Sequence, residues 1–114
     1  MGLLIKLIIS ALAVFAASYL LPGVDVESFT TAIIVALVLA VLNLLLKPLL
    51  IILTIPITIL TLGLFLLVIN AIIVLVCAEL VDGFKVDGFI YALLFSLVIS
   101  LITSLMEGIG KKKD

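Results

Sequence analysis

Four apolar runs, each about as long as a bilayer is thick, leave this chain little choice of fold. They are Leu4–Leu21, Thr30–Leu46, Leu64–Leu80 and Phe89–Met106. A helix rises about 1.5 Å per residue, so roughly 17 to 25 apolar residues cross the hydrocarbon core. A soluble surface cannot absorb such runs. Soluble domains keep about a quarter of their residues charged, whereas here 11% of 114 residues are charged and 68% are hydrophobic. Backbone groups in lipid must bond within their own segment, which predicts an all-α integral membrane protein with four transmembrane helices in a single domain. Lys6 interrupts the first run close enough to its end to snorkel to the headgroups. That run also has the outline of a signal peptide, with Lys6 ahead of an apolar stretch and Ala16-Ala17 near a cleavage site. Its length and an internal counterpart favour a retained span.

The counterpart emerges when the sequence is slid along itself. Residues 4–44 align without gaps on residues 64–104, with 12 identities in 41 positions. Leu pairs in apolar helices match by chance. The loop pattern G-[VF]-x-V-x-x-F, from Gly23 to Phe29 and from Gly83 to Phe89, lies outside the apolar runs and is harder to reach by composition alone. The predicted organisation is therefore two helix-loop-helix repeats, 4–44 and 64–104, a linker over 45–63 and a basic tail over 108–114. Within both loops apolar and charged residues alternate with period two: Val24 and Val26 with Asp25 and Glu27, Phe84 and Val86 with Lys85 and Asp87. That pattern predicts short strands with one dry face, pairing antiparallel as a small two-stranded cap.

The linker carries Pro48 and Pro56 in an apolar stretch of about 15 residues, short for a span and expected to form a re-entrant or interfacial turn. Charge decides the topology. If the linker does not cross, Lys6, Lys47, Lys111, Lys112 and Lys113 share one side, and Asp25, Glu27, Glu79, Asp82 and Asp87 share the other with Lys85. The positive-inside rule then places both termini in the cytoplasm. Two repeats with an even number of spans each have parallel topology, about a pseudo-twofold axis along the membrane normal.

Two sets of intramembrane residues stand out. Ala32, Ala36 and Ala40 recur every fourth residue in the second span, and Ala92, Ser96, Ser100 and Ser104 occupy the equivalent places in the fourth. Small residues at this spacing let helix backbones approach closely, so a packing seam between spans two and four is expected; a serine-lined path is the functional alternative. Asn43 and Asn70, with their repeat counterparts Thr103 and Ser10, form a polar layer near the lysine side. Unpaired amides there are costly, so each is expected to find a partner, as structural glue or in contact with a solute.

Several functions are excluded. There is no Arg and the net charge is −1, which argues against a nucleic-acid surface. There is no His, and the one cysteine, Cys77, lies in an apolar run and reads as a small hydrophobe, so disulfides, Cys/His metal clusters and His-based triads are out. The acidic loops read as a solvated face and lack an accompanying pocket, base or nucleophile. No catalytic, cofactor-binding or metal residues are expected, and the protein reads as a non-enzyme. The C-terminal KKKD reads as an anchor that favours anionic lipid.

The run KPLLIILTIPITILTLGLFLLVINA, followed by LVDGFKVDGF, resembles the four-span phage holin superfamily IV family, the YvlD-like membrane proteins of bacteria. The opening LLIKLIISALAVFAASYLLPGVDVESF is similar to the start of that family, so the resemblance covers residues 3 to 106. Asp82 departs from it, standing where the family usually has the proline of a Pro-Gly-Phe turn. The resemblance implies a bacterial inner-membrane protein with holin activity, oligomerising into a lesion. It supplies no catalytic residues. Family members also occur as ordinary chromosomal proteins. Two functions therefore remain open: a holin-like homo-oligomer that forms or regulates a permeability pathway, and a non-conducting structural or envelope-stress protein that binds a membrane partner. Solute transport ranks below both, because the spans hold no charge beyond the interfacial Lys6 and Glu79.

Overall fold

In a computed structural model, which describes residues 2–112 and the side chains of 2–108, the chain is helical apart from two three-residue strands. Helix α1 spans Leu3–Leu20, strand β1 Val24–Val26, α2 Phe29–Leu53, α3 Ile55–Leu60, α4 Phe65–Leu80, β2 Phe84–Val86 and α5 Gly88–Lys112. Three helices are long and apolar enough to cross a bilayer, and the shorter α4 is apolar throughout, as a four-span membrane protein requires. Lys113 and Asp114, the end of the basic tail, lie outside the described residues.

The helices form a ring in which α1 and α4 each touch both α2 and α5. Helices α2 and α5 therefore face each other along a diagonal, so spans two and four do not form the close crossing expected from their small residues. Ala32 and Ala92 are fully buried and Ala36 nearly so, but Ala40, Ser100 and Ser104 are exposed. The seam closes over its first turns and then opens.

One end is held by a clasp. Strands β1 and β2 pair antiparallel, with Val24 opposite Val86, Asp25 opposite Lys85 and Val26 opposite Phe84. Outside the ladder, Glu27 N–H donates to the Gly83 carbonyl at 2.9 Å, and Asp87 N–H donates to the Gly23 carbonyl at 2.7 Å. The alternation explains the ribbon: Val24 and Phe84 are buried beneath it while Asp25 and Lys85 face outward. Two glycines fit it to the helices. A side chain at Gly23 would occupy the place of the Tyr91 ring, and Gly83 has φ +87°, a left-handed conformation that disfavours any other residue. Ser28 then caps α2, its hydroxyl oxygen accepting from Thr31 N–H at 3.2 Å.

The linker is less separate than expected. Helix α2 continues past Leu46, through Lys47 and Pro48, to Leu53, for 25 residues or about 37 Å. Pro48 costs one hydrogen bond without ending the helix, because a membrane helix tolerates the loss. Pro56 is the breaker. The residue before a proline is disfavoured in the α region, and α2 stops two residues earlier with Thr54 as its cap, the Thr54 hydroxyl donating to the Leu50 carbonyl at 2.7 Å. Pro56 lies in the first turn of α3, where its missing N–H is harmless. A turn through Leu62 (φ 56°) and Gly63 (φ 89°) then leads into α4.

Candidate functional site

The buried core occupies the half of the bundle next to the clasp. It comprises Ala11, Val14 and Ala17 from α1, Ala32, Val35 and Ala36 from α2, Ala71, Val74 and Cys77 from α4, and Ala92 and Phe95 from α5, closed by Val24, Val81 and Phe84; the Phe84 ring centroid lies 5.2 Å from that of Phe95. The Cys77 thiol is fully buried and directed at the Val35 carbonyl, 3.8 Å away. Most of these residues are paired sixty positions apart: 11 with 71, 14 with 74, 17 with 77, 24 with 84, 32 with 92, 35 with 95.

Towards the other end, which carries Lys6 and Lys47, the bundle opens into two clefts. The smaller, about 120 Å³, lies between α2, α4 and α5 and is lined by Leu39, Asn43, Lys47, Asn70, Ile73, Val74, Ser96, Ile99 and Ser100. The larger, about 800 Å³, lies between α1, α2 and α5 and is largely apolar, with Lys6, Ser10, Asn43 and Glu107 among its lining residues. The two are counterparts. Shifting the small cleft's residues by sixty positions gives 99, 103, 107, 10, 13, 14, 36, 39 and 40, and seven of these nine line the large cleft. Leu39 and Ile99, themselves sixty apart, line both together with Asn43.

The polar residues singled out in the sequence are thus distributed unequally. Asn43, Asn70, Ser96 and Ser100 meet at the small cleft, and Ser10 and Asn43 at the large one. Ser104 is exposed beyond both, and Ala32 and Ala92 lie in the core. Among the described residues neither Asn43 nor Asn70 has a hydrogen-bond partner within the chain, and Ser96 donates to the Leu93 carbonyl at 2.9 Å. The Thr103 hydroxyl is buried without a partner. At the clasp end the acids are exposed, and among the described residues no group of them is arranged to hold a metal ion.

Lys47 and Glu107 were missed as site residues. Lys47 served only to fix topology, and Glu107 received no role. The signal lay in the sixty-residue offset, which sets Glu107 against Lys47.

Comparison with known proteins places this architecture. Residues 1–105 match the family model described as Mycobacterial 4 TMS phage holin, superfamily IV. The chain is 39% identical over 104 residues to the uncharacterized membrane protein YvlD of Bacillus subtilis, covering 90% of this chain and 87% of that protein. It is likewise 39% identical over 110 residues to the uncharacterized protein SCO3922 of Streptomyces coelicolor, covering 88% of each. No solved structure matches it significantly.

Proposed function

The chain belongs to the four-span phage holin family of superfamily IV, and from that premise we propose that it is a holin-like protein of the bacterial inner membrane that forms or regulates a permeability pathway as a homo-oligomer. Family membership points to a non-enzymatic membrane protein. The observation that carries the oligomeric part is the closed clasp end. Val24, Phe84 and Phe95 are fully or almost fully buried where the two clefts would have to continue, so one subunit offers no continuous polar path. A pathway must then run between subunits. The apolar outer faces of α2 and α5, with Leu45, Leu101 and Leu105 all more than 60% exposed, supply the surface for lipid or for a second copy.

In this reading both termini and Lys47 are cytoplasmic and the clasp is outside, supported by the clustering of lysines at one end. The two halves are a duplicated unit, supported by strands, buried residues and clefts that recur at one offset. Ala32, Ala36 and Ala92 serve packing, while Asn43, Asn70, Ser96 and Ser100 serve the small cleft.

The test is reconstitution in dye-loaded liposomes over a range of protein-to-lipid ratios. Release should rise more steeply than the first power of protein density, as assembly requires. Intact vesicles at densities where cross-linking captures oligomers would overturn the reading and favour the second one, a non-conducting protein that binds a membrane partner. The same closed clasp would suit that role.

A further inference from the structure

We propose that the small cleft between α2, α4 and α5 is a binding site for a phosphate-type oxyanion, as a phospholipid phosphodiester or as free phosphate. Its lining carries one cation, Lys47, with two amides, Asn43 and Asn70, and the Ser100 hydroxyl, and no acidic residue. The large cleft is an internal control. There the same backbone framework presents Ser10 for Asn70, Ala36 and Ala40 for Ser96 and Ser100, and Glu107 for Lys47, so that its one cation, Lys6, shares the cleft with an acid. Helix packing is satisfied by methyl groups and by the opposite charge in one half of the molecule, so packing does not demand the donors collected in the other.

Those donors are unspent. Among the described residues, Lys47 has no ion-pair partner, and the Asn43, Asn70 and Ser100 side chains make no hydrogen bond within the chain. Polar groups at this depth cost free energy unless a partner is supplied, and a four-oxygen anion supplies several acceptors at once. The cleft, at about 120 Å³, is far smaller than the 800 Å³ of its counterpart and admits only a small group. Leu39, Ile73, Val74 and Ile99 bound the cleft on its apolar side, and Lys47 stands eight residues along α2 from Leu39, about 12 Å nearer the membrane surface. An anion arriving from the headgroup layer would meet the charge first and the amides behind it.

The test uses the full chain in uncharged detergent, titrated with phosphatidylglycerol, phosphatidylcholine and inorganic phosphate in separate arms, with binding read from 31P resonances and from lipid retained in native mass spectra. Lys47→Gln and the near-isosteric Asn43→Asp should each weaken binding by at least about tenfold, the latter by losing its N–H donors and adding a repelling charge. Lys47→Arg should retain it, and Lys6→Gln, in the large cleft, should leave it unchanged. Saturable binding of either lipid alone identifies a headgroup site, and binding of phosphate alone a soluble-anion site; both support the proposal. Absence of binding in every arm, or equal losses from Lys47→Gln and Lys6→Gln, would overturn it. Melting curves of Asn43→Asp separate lost binding from lost fold. Because no flux is measured, failure of the permeability reading leaves this result standing.

Discussion

The clasp half and the lysine half are built from the same four helices, yet one is a packed core and the other is divided by clefts. The buried side chains on α1 and α4 begin at Ala11 and Ile69, and those on α2 and α5 end at Ala36 and Phe95. Beyond these points no described side chain is fully buried. What differs is the size and shape of the residues offered to the centre. Near the clasp, alanines let helices approach while two phenylalanines fill the remaining space, as dense packing requires. Towards the lysines, the small residues at 40, 96 and 100 line the clefts. Smallness without a filling partner leaves a void.

The sharpest way to break this contrast is to remove the filler. Phe95→Ala should cost about 3–5 kcal/mol, read as a large drop in the melting midpoint in detergent, and Phe84→Ala should be similar because it empties the same contact. A Phe84→Ala/Phe95→Ala pair should be less than additive, since the rings touch. Next in size is overpacking. Ala36→Leu should destabilise by about 1–3 kcal/mol and disturb assembly, whereas Ala40→Leu, one turn further on, should be near neutral; equal effects would mean the boundary between the halves is misplaced. Gly23→Ala should displace the Tyr91 ring and loosen the clasp by a comparable amount, visible as faster amide exchange at Asp87. The smallest effect belongs to the open half. Asn70→Leu should change stability by no more than about 0.6 kcal/mol, the average for a polar pair in a membrane, because among the described residues its amide has no partner to lose.

The sequence made the clasp half easier to read than the lysine half. Period-two alternation at Val24–Glu27 and Phe84–Asp87 names a dry and a wet face regardless of context, and the Gly-x-x-Val-x-x-Phe repeat ties the two loops to one geometry. The four apolar runs likewise declare spans, because lipid permits few alternatives. The alanine and serine stripes were different. Spacing shows which face of a helix is small, but not which helix meets it, and α2 and α5 lie across a diagonal from each other. Proline placement misled for a related reason. Pro48 and Pro56 look alike in sequence, yet the first lies within α2 and the second ends it, and only the continuation of the helix beyond Lys47 distinguishes them.

The brevity of α4 has a consequence for the bilayer itself. Its 16 residues reach about 24 Å, some 6 Å less than a typical hydrocarbon core. The clasp holds the ends of α1 and α4 level, at Leu20 and Leu80, so the whole deficit falls at the opposite leaflet. A bilayer that thinned to meet it would do so at a fraction of a kcal/mol for each ångström of mismatch. Leu60, Leu62 and Leu64, each at least 66% exposed, sit at that step and give the acyl chains an apolar ledge on which to end. Beside α4, then, the two leaflets would meet apolar walls of unequal height.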